Sequence, residues 1–189
     1  MQWEGIKEMD VSNRPLFARR DRVVDEYCGS GEQISCEQIL ERISNQDFWD
    51  ECEVVQACEN SLAELERRER WADVHLSDYL RRNYRGGVAL FYSPNHPRTS
   101  VLFEYACRIL CHLGFERLPD MSEEDQTILF DTLKGQDIPI YPTVIRALKL
   151  KEVCPRYFVD RYLCGYKLLD FKEYYRAYMS YWWGVEDEV

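Results

Sequence analysis

Only one segment of the chain has a clear β-strand pattern, and this limits the folds open to it. Residues 88–92 (Val-Ala-Leu-Phe-Tyr) form a short apolar run rich in β-branched and aromatic side chains, which predicts a buried strand. Val23-Val24 and Val54-Val55 are weak strand candidates. Because a single strand cannot make a sheet, either these segments pair with it or further strands belong to sequence outside this chain.

A polar, proline-bounded loop follows this strand. It reads Ser93-Pro94-Asn95-His96-Pro97-Arg98-Thr99, and apolar residues at helical spacing then predict a helix over 101–113 that ends at Gly114. In open α/β sheets, ligands bind beyond the carboxyl ends of the strands, where the next helix also offers unpaired N–H groups. We therefore expect His96 to face a ligand crevice.

Capping signals predict most of the helices. Each consists of a Ser or Asp followed by a Glu, Gln or Asp three residues on, and they are Ser35 with Gln38, Ser61 with Glu64, Ser122 with Asp125, and Asp170 with Glu173. Apolar spacing adds helices over 76–84 and 142–149, the second opening with Pro142. The prediction is a helix-rich α/β fold, a partial Rossmann-like three-layer arrangement with a small, mostly parallel sheet. Residues 1–34 form an irregular N-terminal segment, and 35–189 form one domain.

Composition excludes several classes of protein. The 189 residues are 46% hydrophobic, which suits one domain with a real core. The net charge of −10 argues against general nucleic-acid binding, which depends on cationic groups at the phosphates. No apolar run approaches the roughly 20 residues needed to cross a bilayer. The N-terminus shows no signal-peptide pattern, so we expect a cytoplasmic protein.

The eight cysteines include no CxxC pair, and we expect them to be reduced. Cys107 and Cys111 would share one helix face, but His112 would point roughly 100° away from Cys111. We therefore assign no metal site.

The loop after the strand carries the candidate catalytic residues. His96 is suited to acid/base work, Asn95 can donate to an oxyanion, Ser93 and Thr99 offer hydroxyls, and Arg98 offers a fixed positive charge. The alternative is that Asn95 and His96 only hold a tight loop. A hydrolase built on Ser93 and His96 is a weaker hypothesis, because two residues between them in a proline-bounded loop make direct contact awkward.

Two further features admit both a functional and a structural interpretation. The basic clusters are dense enough to bind a phosphorylated small molecule, yet each is interleaved with acidic residues, which also favours a solvated helical face; they comprise Arg67, Arg68, Arg70, Arg81, Arg82 and Arg85. The aromatic stripe from Tyr174 to Trp183 is typical of core or interface packing rather than of a cofactor site.

The order of several segments resembles the WcbI-type polysaccharide biosynthesis acetyltransferases, from about residue 35 to 182. The segments are Ser61-Leu62-x-x-Leu65-x-x-Arg68-Glu69, Asp73-Val74-x-Leu76-Ser77-Asp78-Tyr79, Leu90-Phe91-Tyr92-Ser93-Pro94-Asn95-His96-Pro97, Ile109-Leu110-x-x-Leu113-Gly114-Phe115, Ile140-Tyr141-Pro142-x-Val144-x-x-Ala147-Leu148 and Phe171-x-x-Tyr174-x-x-x-Tyr178. The resemblance implies an α/β protein that binds coenzyme A and transfers an acetyl group to a capsule sugar.

Members of that family begin with a strand leading to an Asn-Cys-Gln motif, whose cysteine is the proposed nucleophile, and no Asn-Cys or Cys-Gln pair occurs here. The chain thus resembles a shortened member or a fragment. Direct acyl transfer then becomes the expected mechanism, with His96 deprotonating a sugar hydroxyl while Asn95 and backbone N–H groups stabilise the oxyanion.

The leading hypothesis is a coenzyme-A-dependent acyltransferase of polysaccharide or glycoconjugate biosynthesis. Its partners would be an acyl donor and a sugar acceptor, with Asn95, His96 and Arg98 lining the site and Arg81, Arg82 and Arg85 as weaker candidates for the cofactor phosphates. We also expect either a homo-oligomer or a partner chain that supplies the missing N-terminal half. The alternative is a non-catalytic homologue that docks a partner through the aromatic stripe.

Overall fold

The structure is a computed structural model that describes residues 21–31, 34–93, 96–120, 138–151, 153, 157–158 and 168–184. Its helices are α1 (Arg22–Gly29), α2 (Cys36–Ser44), α3 (Glu51–Glu69), α4 (Ser77–Arg85), α5 (Thr99–His112), α6 (Pro142–Ala147) and α7 (Phe171–Trp183). Its strands are β1 (Phe91–Ser93), β2 (His96–Pro97), β3 (Tyr157–Phe158) and β4 (Leu168–Leu169). The capping signal at Ser122 lies outside the described residues.

The expected parallel, Rossmann-like sheet is wrong for the part of the chain described. The strands form two separate two-stranded antiparallel sheets, β1 with β2 and β3 with β4. The weak strand candidates at Val23-Val24 and Val54-Val55 lie inside α1 and α3. Aspartates at the N-caps of both helices satisfy their first N–H groups, so capping and packing override the β preference of valine.

Two capping boxes are confirmed, and one predicted cap is wrong. Ser35 with Gln38 and Asp170 with Glu173 exchange reciprocal hydrogen bonds at the starts of α2 and α7. By contrast, Ser61 lies in the middle of α3, where its hydroxyl donates to the Ala57 carbonyl oxygen at 3.0 Å. A hydroxyl that bonds the carbonyl four residues earlier is compatible with an uninterrupted helix, so no second helix begins there.

The predicted strand over 88–92 is only partly regular. Regular pairing begins at Phe91, and Phe91 and Val88 are about two-fifths exposed, whereas Ala89 and Leu90 are buried. Distant segments nevertheless bind this stretch: the N–H groups of Lys151 and Ile138 donate to the carbonyl oxygens of Gly87 and Tyr92, each at 2.9 Å. The segment is therefore fixed by later parts of the chain.

Two apolar clusters hold the described helices together. The first joins α1, α2 and α7 through residues such as Val24, Leu40 and Tyr175. The second comprises Leu62 of α3, Leu80 of α4, Leu90 before β1 and Val101 of α5. Since the β1–β2 hairpin lies between Leu90 and Val101, this second cluster is the support on which the predicted site rests. None of the helices in the described part of the chain is long and apolar enough to cross a membrane.

Candidate functional site

The predicted catalytic loop is an antiparallel hairpin. Ser93 of β1 pairs with His96 of β2, and Phe91 pairs with Pro97, with a bulge between them. The Arg98 N–H donates to the Leu90 carbonyl oxygen at 2.9 Å, which closes the base of the hairpin. Ser93 is buried, and His96 is partly buried. Asn95, the predicted oxyanion donor, lies outside the described residues.

Ser93 and His96 are in direct contact. The Ser93 Oγ lies 2.5 Å from the His96 Nδ1, so the expectation that this loop makes such contact awkward is wrong. The register explains the difference, because residues directly opposite each other in an antiparallel pair bring their side chains close. When the hydroxyl donates to Nδ1, the neutral imidazole carries its proton on Nε2. The arrangement is a hydroxyl hydrogen-bonded to a base.

Arg98 and Thr99 lie at the junction of the hairpin with α5. The Arg98 guanidinium lies over the Tyr92 ring, 5.2 Å from the ring centroid, and the buried Nε of Arg98 has no hydrogen-bond partner among the described residues. Thr99 is the first residue of α5, and Arg98 is its N-cap. Arg98 therefore packs against the ring of Tyr92, the residue that precedes Ser93 in the chain.

More backbone N–H groups in the first turn of α5 are hydrogen-bonded than the sequence predicts. The sequence predicts unpaired N–H groups at the start of the helix after the loop, yet those of Val101 and Leu102 donate to the Arg98 carbonyl oxygen at 3.0 and 3.2 Å. This part of the expectation is wrong, since the capping residue itself accepts both bonds.

The three arginines of α4 differ in their contacts. Arg81 forms ion pairs with Glu59 of α3 and with Glu66, and Arg85 reaches Glu59 at 3.4 Å. Hydrogen bonding to Glu66 is the main reason that the pKa of Arg81 is raised. Arg82 instead lies over the Tyr79 ring, 5.7 Å from its centroid. Arg81 and Arg85 thus neutralise carboxylates of α3, whereas Arg82 interacts with an aromatic face.

Tyr79 connects Arg82 to the start of α5. Its hydroxyl donates to the Ser100 carbonyl oxygen at 3.4 Å. Arg82 lies over the ring of the same tyrosine. Tyr79 therefore links Arg82 to the start of α5, where the predicted site lies.

An ion-pair network fixes α4 against α5. Arg108 of α5 donates to both carboxylate oxygens of Asp78 of α4, at 2.5 and 2.9 Å, and to Glu104 at 2.7 Å. Hydrogen bonding to Arg108 lowers the pKa of Asp78. Burial opposes ionisation of Glu104, but hydrogen bonds from Arg117 and Arg108 outweigh it and hold the pKa of that carboxyl below its ordinary value. The sequence carried one signal of this network, the four-residue spacing of Glu104 and Arg108.

Comparison with known proteins gives one family. The model of the family described as "Polysaccharide biosynthesis enzyme WcbI" matches residues 10–118, more than half of the chain. The chain belongs to the WcbI family. No curated protein and no solved structure matches it.

The WcbI match contains every predicted site residue. It spans α1 to α5 and the β1–β2 hairpin, so Ser93, His96, Arg98 and the arginines of α4 all lie within it. The described residues contain no group of three or more His, Cys, Asp or Glu side chains that could hold a metal ion. The described groups of the WcbI-family hairpin and its surroundings that can transfer a proton or bind an anion include Ser93, His96 and the nearby arginines.

A second polar cluster lies around Asp21, partly outside the WcbI match. The Asp21 carboxylate accepts hydrogen bonds from the hydroxyls of Tyr141 at 2.9 Å and Tyr175 at 2.8 Å, and from backbone N–H groups of α1. The Tyr178 hydroxyl accepts from the Asp21 N–H and donates to Asp25. Burial is the main reason that the pKa values of all three tyrosines are raised. No sequence pattern predicts this cluster, because Asp21, Tyr141 and Tyr175 are far apart along the chain.

The aromatic stripe of α7, which follows the WcbI match, is mostly core. Tyr174, Tyr175 and Tyr178 are buried, which confirms the packing interpretation for these residues, while Tyr181 and Trp183 remain about two-fifths exposed. An open cavity of about 610 Å³ lies beside Trp183. Its other lining residues belong to α1 and are Arg22, Asp25, Glu26 and Gly29.

Proposed function

We propose that this WcbI-family chain is a coenzyme-A-dependent acyltransferase that modifies a sugar hydroxyl in polysaccharide or glycoconjugate biosynthesis. The observation that carries the proposal is the contact between the Ser93 Oγ and the His96 Nδ1 inside the family match. Acyl transfer to a hydroxyl needs a base that removes the hydroxyl proton as the new ester bond forms. An imidazole held by a neighbouring side chain on a fixed hairpin meets this need.

The geometry supports a role for His96 as the base. The contact with Ser93 orients the ring, and in the tautomer whose Nδ1–H donates to Oγ, the Nε2 atom carries the lone pair that a base needs. His96 is only partly buried, as a base that meets a ligand must be. Asn95 keeps its proposed role as donor to the oxyanion on the basis of residue type alone.

The basic residues near the hairpin are suited to the phosphates of coenzyme A. Arg82 and Arg98 each lie over an aromatic ring and form no ion pair within the described residues. An arginine of this kind can turn its guanidinium N–H groups to a phosphate without giving up a carboxylate partner. Thr99 adds a hydroxyl at the start of α5. Arg81 and Arg85 are weaker candidates for phosphate binding, because carboxylates of α3 already bind them.

Titration calorimetry with acetyl-CoA tests the proposal. We expect wild-type protein to bind, and His96→Ala to bind with similar affinity but to lose acetyl transfer to sugar acceptors. His75→Ala is the matched control, since His75 is exposed and its Nε2 lies 3.0 Å from the nearby Ala72 carbonyl oxygen. Wild-type protein that releases no heat, or His96→Ala protein that turns over like wild type, would reject the proposal.

Fewer observations support the alternative of a non-catalytic homologue that docks a partner through the aromatic stripe of α7. Of the stripe on α7, Tyr181 and Trp183 are exposed enough to contact a partner, and the open cavity adjoins Trp183. Replacing both residues by alanine would abolish partner capture under this alternative and would leave acetyl-CoA binding unchanged. We place the proposed reaction in the cytoplasm, where the cysteines would stay reduced.

A further inference from the structure

We propose that Ser93 carries the acyl group covalently, as an ester at Oγ, between the thioester donor and the sugar acceptor. This inference rests on the proposed function and adds a nucleophile to it. It replaces the direct, single-step transfer expected from the sequence with two successive displacements. The feature behind it is the juxtaposition of a serine hydroxyl and an imidazole nitrogen at the paired ends of β1 and β2.

A nucleophilic serine needs a base within hydrogen-bond reach. The Ser93 Oγ and the His96 Nδ1 are 2.5 Å apart, close enough for a hydrogen bond. The imidazole nitrogen contacts a side-chain hydroxyl, the group that a base must reach to activate a serine. The pair therefore has the two groups that the first displacement requires.

The hairpin holds the pair in place from both sides. The Arg98 N–H donates to the Leu90 carbonyl oxygen, and the Ile138 N–H donates to the Tyr92 carbonyl oxygen, each at 2.9 Å. Backbone bonds next to each partner limit the motion of Oγ relative to Nδ1, and such preorganisation lowers the barrier of a bimolecular step. Ser93 is only 6% exposed, so an ester formed there is shielded from bulk water.

The two displacements balance in atoms and charge. In the first, Oγ attacks the carbonyl carbon of the acyl thioester while His96 Nδ1 takes the hydroxyl proton; the carbon–sulfur bond breaks, and the imidazolium protonates the coenzyme A thiolate. In the second, a sugar hydroxyl oxygen attacks the Ser93 ester while His96 takes its proton. The bond from the acyl carbon to Oγ breaks, and Oγ regains a proton from the imidazolium.

Cys58 is not suited to this role. Burial raises the pKa of the Cys58 thiol, even though a hydrogen bond from Tyr84 opposes the effect. Nucleophilic cysteines instead have a lowered pKa, because the thiolate is the reactive form. Ser93 has a base at its hydroxyl and needs no such shift.

Isotope exchange tests the covalent step without any sugar acceptor. Labelled coenzyme A is mixed with unlabelled acetyl-CoA and the protein, and transfer of the label into acetyl-CoA is measured. Reversible formation of an acyl-serine predicts exchange by wild-type protein, and loss of the nucleophile in Ser93→Ala predicts a decrease of roughly a thousandfold or more. Ser61→Ala is the matched control, since Ser61 is an exposed serine on α3.

A second variant separates loss of chemistry from loss of folding. Ser93→Cys keeps a nucleophile at the same position, so exchange should persist, and quenched protein should carry one acetyl group that maps to residue 93 and is released by hydroxylamine. Wild-type protein that binds acetyl-CoA but catalyses no exchange would overturn the covalent step, as would folded Ser93→Ala protein that exchanges at the wild-type rate. The proposed function fails by a different result, the absence of acetyl-CoA binding in the calorimeter.

Discussion

The carboxylate of Glu69, at the end of α3, accepts the backbone N–H of Ser77, the first residue of α4, at 3.0 and 3.1 Å. The same carboxylate accepts the Leu76 N–H at 2.6 Å, and Glu69 is 8% exposed. Since Leu76, the N-cap residue of α4, makes no side-chain capping bond, a glutamate from the preceding helix does the capping. This contact sets where α4 begins, and α4 carries the arginines of the candidate site.

Replacing Glu69 by alanine should lower the free energy of unfolding by about 1–3 kcal/mol, because two N–H groups lose their acceptor and one of them is buried. Urea denaturation measures the change. Glu41→Ala is the control, since Glu41 is exposed on α2, and it should leave the free energy of unfolding within about 0.5 kcal/mol of wild type. Equal effects of the two substitutions would contradict the capping role.

Gly87→Ala should be strongly destabilising. Gly87 has a φ of +80°, and a Cβ built there would lie 2.4 Å from the Lys149 carbonyl oxygen. The left-handed backbone alone costs about 1–3 kcal/mol for a residue with a Cβ, and backbone must also shift to relieve the clash. Gly114→Ala separates the two causes, because Gly114 has a φ of +87° but no atom of the described residues lies within 4 Å of its Cβ position. A Gly114→Ala loss as large as that of Gly87→Ala, measured by thermal denaturation, would exclude the clash.

Stability should fall in alkali because of the tyrosines around Asp21. Burial, aided by the carboxylates of Asp21 and Asp25, raises their pKa values above the ordinary value of 10.0. A group with a raised folded pKa stabilises the fold fully below its unfolded pKa, and the stability is lost as the pH rises from there toward the folded pKa. The melting temperature should therefore fall as the pH rises above about 10.

Two tyrosine variants check this assignment. Tyr175→Phe removes a hydroxyl that donates to Asp21, so it should lower the melting temperature at neutral pH and weaken its decline in alkali. Tyr105→Phe alters an exposed side chain of α5 and should preserve the wild-type profile. Identical pH profiles for wild type and Tyr175→Phe would show that these phenols do not govern alkaline stability.

Arg82 should contribute to acetyl-CoA affinity, whereas Arg68 should not. Loss of one charge-assisted hydrogen bond to a phosphate corresponds to about 1.5 kcal/mol, or roughly a tenfold weaker Kd for Arg82→Ala. Arg68 is paired with Glu64 on the exposed face of α3, and Arg68→Ala should bind like wild type. Calorimetry compares them, and equal weakening in both variants would indicate a diffuse charge effect rather than a contact of Arg82.

Local patterns predicted the helices better than the sheet. Ser35 and Asp170 begin helices as expected, because a capping box depends only on residues within one turn. The prediction of a parallel sheet was wrong because the segment around residues 88–92 is hydrogen-bonded by distant residues such as Lys151 and Ile138. No local sequence pattern reveals such long-range bonds. Ser93 and His96 were identified from residue type, but their contact depends on the hairpin register, which the sequence did not show.

Histidine side-chain NMR during an acetyl-CoA titration tests the central claim most directly, because the chain contains only three histidines. His75 precedes α4 and His112 ends α5, so both serve as internal controls in the same sample. We predict that the imidazole resonances of His96 shift with acetyl-CoA concentration while those of His75 and His112 stay in place. Unchanged His96 resonances at saturating acetyl-CoA would contradict a ligand site at the Ser93–His96 pair.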